Sequence, residues 1–223
     1  MSLYELCVIR TKNGIFVNYC YLLFDKETKE ALIIDPAWDI NKINNIIVKN
    51  NLKLKWILLT HSHKDHINLV NPLIKQYNAD VFISESESLF YQYKCANMRI
   101  VKDNEKLFLG NIMCKCILTP GHSIGSMCFI IDDYIFTGDT LFIEGCGVCD
   151  TNGGNAESMF NSIQRLKRII KPHVKVYPAH SFGMNLGQTM ANLYNFNIYL
   201  NIEDKSRFVD FRERKTSNSY CFK

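Results

Sequence analysis

The chain has 223 residues, a formal net charge of +4, 47% hydrophobic residues and 22% charged residues. Those proportions suit a folded domain; they exclude collagen-like and disordered chains and give no reason to expect a nucleic-acid partner. The longest apolar stretches, such as "WILLT" and "CFII", are only strand-length, so no membrane-spanning helix is expected.

In chain order, residues 3–10 and 15–24 are rich in aromatic and β-branched residues and bracket the turn signal "KNG", which predicts an antiparallel hairpin. The opening "MSLYELCVIRTKNG" has no charged region leading into an apolar core, so no export signal is expected. "ALIIDP" reads as a third strand, ended by Pro36. Ile40, Ile43, Ile46 and Ile47 at helical spacing predict an amphipathic helix over 40–50. "WILLT" is a buried strand, "HINLVNPLIKQY" returns to a helical period, and "ADVFIS" is a strand again. Residues 84–104 are polar with an aromatic cluster at Phe90, Tyr91 and Tyr93, and read as a helix with a loop or as a flap.

Strands resume with "KLFLG", "IMCKCILTP", "SMCFIID" and "YIFTGDTLF". Asn155 is an N-cap for a helix to Ile170 that carries Ala156, Met159, Phe160, Ile163 and Leu166 on one face. "VKVYPAH" is expected as the last strand, with a short helical or irregular extension from about residue 185. This order predicts sheets sandwiched between helices in a single domain spanning 1–223.

The chemistry concentrates at strand ends. His61 and His63 follow a strand and project to the same side, while Asp65 and His66 belong to the turn into the next helix. His122 in "TPGHS", Asp139 in "FTGDT" and His180 in "YPAHS" each follow a glycine or proline within two residues, which permits a sharp turn. Of the six histidines only His173 falls outside this pattern, and it reads as a surface residue. Nine cysteines, an odd number at irregular spacing, fit reduced thiols in the cytoplasm. The C-x-x-C formed by Cys146 and Cys149 lacks the second pair of a zinc ribbon and is taken as incidental.

"THSHKDH", "TPGHS", "TGDT" and "PAH" together resemble the ordered metal-ligand motifs of the metallo-β-lactamase superfamily, over nearly the whole chain. The resemblance implies a four-layer αβ/βα sandwich with metals at one edge between the sheets. It implies that His61, His63 and His122 hold one metal, that Asp65, His66 and His180 hold a second, and that Asp139 bridges them. Asp65 and Asp139 are then the catalytic carboxylates, and Asp35 in "IIDPA" supports the ligands from behind. Two Zn²⁺ suit such donors, with Fe or Mn possible in either position, and two close cations can share one hydroxide as the nucleophile.

Asp139 in "GDT" disfavours the true β-lactamases, several of which carry cysteine there, and the chain is too short for the domain inserted in the superfamily's RNA nucleases. "GDTLFIEGCG" is similar to the glyoxalase II branch, and also to the mononuclear iron persulfide dioxygenases. Both usually have arginine or another basic residue where this chain has Val148, and glyoxalase II has tyrosine where it has Phe182. "LFIEGCGVCDTNGGNAESMFNSIQRLK", "VYPAHSFG" and "FVDFRERK" look like the stand-alone hydrolases encoded beside trans-acyltransferase polyketide synthases. That resemblance implies an acyl thioester on acyl carrier protein phosphopantetheine, or a small acyl-thioester surrogate, as substrate. Cys146, Val148, Phe182, Arg212, Arg214 and Lys215 are the candidate substrate contacts. The segment "KSRFVDFRERK" containing the last three reads as a solvated surface or as a small basic patch for a phosphate or an acidic protein.

Overall fold

The computed structural model describes residues 3–214. The aromatic and β-branched start folds into a long hairpin of β1 (Tyr4–Asn13) and β2 (Phe16–Asp25). It is followed by β3 (Glu30–Ile34), α1 (Ile40–Lys49), β4 (Lys53–Leu58), α2 (Lys64–Ile67) and α3 (Val70–Tyr77). Then come β5 (Asp80–Ser84), α4 (Glu85–Tyr91) and β6 (Met98–Val101). These six strands form one sheet in sequence order, antiparallel from β1 to β3 and parallel from β3 to β6.

The second half contributes β7 (Lys106–Leu109), β8 (Ile112–Leu118), β9 (Met127–Ile131), β10 (Tyr134–Gly138), α5 (Ala156–Ile169) and β11 (Lys175–Pro178). It closes with β12 (Gln188–Thr189), α6 (Met190–Phe196), α7 (Ile198–Asn201) and α8 (Lys205–Glu213). The second sheet runs β12-β11-β10-β9-β8-β7 and is antiparallel except for the parallel β10–β11 pair.

Alternation along the strands explains the layering. In β2 and β3, Leu22, Phe24, Ala31 and Ile33 face an outer core shared with Ile43 and Ile47 of α1 and Leu73 of α3. Their neighbours Tyr21, Leu23, Leu32 and Ile34 face the other way, into a core shared with Cys114, Met127, Phe129 and Phe136 of the second sheet. A third core lies on the far side of that sheet, under Met159, Ile163 and Leu166 of α5 and Leu193, Leu200 and Phe208 of the last helices. Strands buried on both faces read as continuous apolar runs, which is why the sequence signal was strong there. The result is the four-layer αβ/βα sandwich.

Three local expectations are refined. Residues 84–104 form a capped helix and a strand rather than a flap. Ser84 accepts a hydrogen bond from the Glu87 backbone N–H, Gln92 ends α4 in the left-handed region, and β6 then pairs in parallel with β5. The strand expected over "YIFTGDTLF" stops at Gly138, and "VKVYPAH" is not last, because β12 adds to it antiparallel. The C-terminal extension takes the helical form, and Met190, Leu193, Leu200 and Phe208 from its helices complete the third core. Among the described residues no helix is long and apolar enough to cross a membrane, and no cysteine is in a disulfide.

Candidate metal centre

The chemistry-bearing residues lie just beyond the carboxyl ends of five strands from both sheets. Asp35 follows β3, His61 and His63 follow β4, His122 follows β8, Asp139 follows β10 and His180 follows β11. Backbone bonds stitch the two sheets at this edge: Tyr19 N–H donates to the Ala179 carbonyl (2.8 Å) and Met127 N–H to that of Thr60 (2.8 Å). Gly138 sits in the left-handed region (φ 49), where any Cβ would run into the Thr60 side chain; glycine there lets Asp139 come up beside the histidine strand.

Three sets of donor atoms converge within 4.8 Å: His61, His63 and His122; His61, His66 and Asp139; and Asp65, His66 and His180. In the first set His63 Nδ1 lies 3.0 Å from His61 Nε2 and 2.9 Å from His122 Nε2. Asp139 spans the sets, with Oδ2 at 3.5 Å from His122 Nε2 and 3.6 Å from His180 Nε2, and Oδ1 at 3.8 Å from His66 Nε2. Asp65 Oδ2 stands 3.4 Å from His180 Nε2 and 3.6 Å from His66 Nε2.

Four of the five rings are aimed by the outer nitrogen. His66 Nδ1 donates to Asp35 Oδ2 (3.0 Å), His122 Nδ1 to the Val148 carbonyl (2.7 Å) and His180 Nδ1 to the Val17 carbonyl (2.7 Å). His61 Nδ1 lies 3.1 Å from the Thr60 hydroxyl, which itself donates to Asp35 Oδ2 (2.6 Å). With those outer nitrogens engaged, the inward nitrogens of the four rings are the atoms that face a metal ion, the arrangement a ligating histidine needs. Asp35 holds a left-handed backbone (φ 48) and also accepts the Thr60 N–H (2.8 Å), so one buried carboxylate fixes two of the rings.

The titration behaviour divides the site. Burial pushes the His61 imidazole well below its ordinary range, with His66 and His122 adding to the effect. Burial also brings His63 down to about 4, helped by His122. Burial opposes protonation of His66 too, yet Asp35 and Asp139 raise it to about 10. Burial works to raise Asp65 and Asp139, but His180 and His66 more than offset it and both carboxyls are lowered. His61 and His63 are thereby held neutral, while the Asp65 and Asp139 carboxylates keep their charge beside His66 and His180.

Those donors fit a divalent cation. His66 Nε2 and Asp139 Oδ1 are both buried without a hydrogen-bond partner, an arrangement proteins avoid unless something else satisfies the pair. Imidazole nitrogens with carboxylate oxygens are the donor set preferred by zinc and tolerated by iron and manganese.

The other expected contacts scatter. Val148 reaches the centre through its backbone, by the bond to His122. Phe182 stacks edge-on against Phe142 (4.9 Å), and its ring centre is 6.3 Å from that of His180. Cys146 is buried in the third core beside Arg212. Arg212 itself turns inward, its Nη1 donating to the Tyr199 hydroxyl (3.1 Å) with a cation–π contact to the same ring, while its Nε is left without a partner. Arg214 is exposed and lies over Phe211 (3.7 Å), and Lys215 falls outside the described residues. His173 is on the surface, 3.0 Å from Asp133.

Several supporting residues had no readable signal. Asn18, a polar position in an otherwise apolar strand, donates to Asp65 Oδ2 (3.1 Å) and to its backbone carbonyl (3.0 Å) while accepting the Trp38 indole N–H (2.8 Å). Glu87 is buried behind the histidine loops, and the Tyr91 ring stands 6.1 Å from that of His63. Only Glu87 carried a hint, as the fourth residue of "SESE", but that pattern announces a helix start rather than a site.

Residues 13–104 match the family model described as the metallo-beta-lactamase superfamily. The chain is 45% identical over 212 residues to the probable polyketide biosynthesis zinc-dependent hydrolase PksB of Bacillus subtilis, covering 95% of this chain and 94% of that protein. It is 47% identical, with the same coverage, to the probable polyketide biosynthesis zinc-dependent hydrolase BaeB of Bacillus velezensis. Among solved structures, a metallo-β-lactamase from Staphylococcus aureus superimposes with a TM-score of 0.85 at 24% identity, covering 97% of this chain and 69% of that one. At that identity the superposition speaks for the fold alone.

Proposed function

The chain belongs to the metallo-β-lactamase superfamily, and on that premise we propose that it is a zinc-dependent hydrolase that cleaves acyl thioesters in polyketide biosynthesis, releasing acyl groups from acyl carrier protein phosphopantetheine. The observation that carries this reading is the convergence of His61, His63, His122, Asp65, His66, His180 and Asp139, with His66 Nε2 and Asp139 Oδ1 orphaned between them. The names of the two Bacillus relatives supply the zinc and the biosynthetic setting.

His61, His63 and His122 would hold one cation, Asp65, His66 and His180 a second, and Asp139 faces both sets. When bound, the cations supply a water whose pKa falls from about 15.7 to about 7 and polarise the thioester carbonyl. The chain's own residues do the rest. Asp65 and Asp139 orient the attacking water, and the proton it gives up passes by a carboxylate oxygen to the departing sulfur. Asn18 holds Asp65 in place through both its backbone and its side chain. The carbonyls of Val148 and Val17 fix the His122 and His180 rings. Addition of water oxygen to the acyl carbon and cleavage of the C–S bond release the acid and a pantetheine thiol. A thiolate leaves easily, so positioning the nucleophile is the demanding part, and no serine or cysteine nucleophile is required.

A pantetheine arm is neutral and amide-rich, and Val148 and Phe182 stand where the glyoxalase II branch has a basic residue and a tyrosine for glutathione. The test is hydrolysis by zinc-loaded protein of acyl-carrier-protein thioesters, acyl-pantetheine and S-lactoylglutathione, with and without prior chelation. Cleavage of the first two, lost on chelation, is expected. Zinc-loaded protein inert toward every thioester would overturn the reading, and a one-iron protein consuming oxygen with a persulfide would replace it.

A further inference from the structure

Glu87 is a fully buried carboxylate (0% exposed) in the third position of α4, and it faces away from its own helix. Its Oε1 accepts from Ser62 N–H (2.7 Å) and Ser62 Oγ (2.8 Å). Its Oε2 accepts from Ser123 Oγ (2.7 Å) and Gly125 N–H (3.0 Å). Four donors thus fill both oxygens, and none of the four is a cation.

Those donors belong to the two loops that carry the first histidine set. Ser62 sits between His61 and His63, and Ser123 follows His122. The loops come from different sheets, one after β4 and one after β8. Gly125 leaves room for the contact, because a Cβ there would collide with the Glu87 backbone. Ser84, the cap of α4, donates to the Gly125 carbonyl (2.6 Å) and locks the helix to the same loop.

Resting on the proposed metal chemistry, we propose that Glu87 is the positioning residue of the His61–His63–His122 site. It clamps both loops at one carboxylate and places that carboxylate directly behind the three imidazoles. The clamp spaces the three nitrogens, and the carboxylate favours a cation among them in a poorly screened interior. It acts on one metal position and leaves the Asp65–His66–His180 set to Asp35 and Asn18.

Glu87→Gln tests this, because an amide presents N–H where Ser62 or Ser123 must donate and removes the charge while keeping the shape. Zinc affinity is read by competition with a chromophoric chelator, and coordination by the visible spectrum of the cobalt-substituted protein. The expected result is that the zinc equivalent lost in a His63→Ala control is weakened about 10- to 100-fold in Glu87→Gln while the other is retained. The cobalt spectrum should change in the same direction. If Glu87→Gln does not fold, the double variant Ser62→Ala/Ser123→Ala, which keeps the carboxylate and deletes two donors, should show a smaller loss at the same equivalent. Parent-like affinity and spectrum in the folded variants would overturn the proposal. Parent protein that binds no zinc at all would instead sink the functional reading on which it rests.

Discussion

Asp139 lies within 3.8 Å of imidazole nitrogens from His66, His122 and His180, so its charge is shared between both histidine sets. Asp139→Asn keeps the side-chain volume but turns one oxygen into a donor that cannot bind a cation. The variant should bind less zinc and lose at least about 100-fold in kcat/KM on acyl-pantetheine, read by elemental analysis and steady-state rates. Asp35→Asn tests orientation rather than ligation. Asp35 accepts three bonds, from Thr60 N–H, Thr60 Oγ and His66 Nδ1, and an amide oxygen cannot serve them all. The His66 ring then loses its fixed tautomer, and zinc affinity should fall about 10- to 100-fold while the thermal midpoint of the zinc-free protein moves less. The candidate ligands were legible because their spacing at strand ends has little other use. Asn18 and Glu87 were not, because each acquires its role from partners distant in sequence: Asn18 bonds a residue 47 positions away, and Glu87 bonds across 25 to 38 positions.

At the scale of elements, the turn after β2 shows how a single carboxylate joins the two halves of the chain. Asp25 accepts N–H bonds from Glu27 (2.8 Å), Thr28 (2.9 Å) and, across the sandwich, Asn111 (2.7 Å). Burial works to raise its pKa, but these bonds bring it from the ordinary 3.8 down to about 2. A lowered folded-state pKa means stabilisation that is complete above the unfolded value and disappears as pH falls toward the folded one. Between pH 5 and about pH 2, denaturant unfolding should therefore show the parent losing more stability than Asp25→Asn does. An equal loss in both proteins would remove Asp25 from the acid response. The helix and strand periods were readable here, but the reach of Asp25 to Asn111 was not, since no local pattern links residues 86 positions apart.

At the scale of the whole molecule, the inter-sheet core decides whether the two halves of the metal centre meet. Phe129 is fully buried in it, between Tyr21, Leu32 and Leu58 of the first sheet and Phe136 of its own. Phe129→Ala should cost about 3–5 kcal/mol of stability by leaving a cavity there, seen as a lower denaturation midpoint with an unchanged slope. Because the sheets contribute ligands separately, the same variant should also bind zinc more weakly than an equally destabilised variant in the outer core, such as Ile43→Ala.

The amino-acid sequence by itself determined the alternation that buries both faces of the strands, the helix periods of α1 and α5, and the identity of the metal-ligating candidates. These are local properties, set by side-chain period and by which residue types can ligate. Tertiary structure alone decided that Arg212 turns inward onto Tyr199, that residues 98–101 form an edge strand after the helix, and that Asn18 and Glu87 brace the centre. Each of those outcomes depends on which strand tips the sandwich brings side by side, a matter of packing between distant segments that no window of sequence contains.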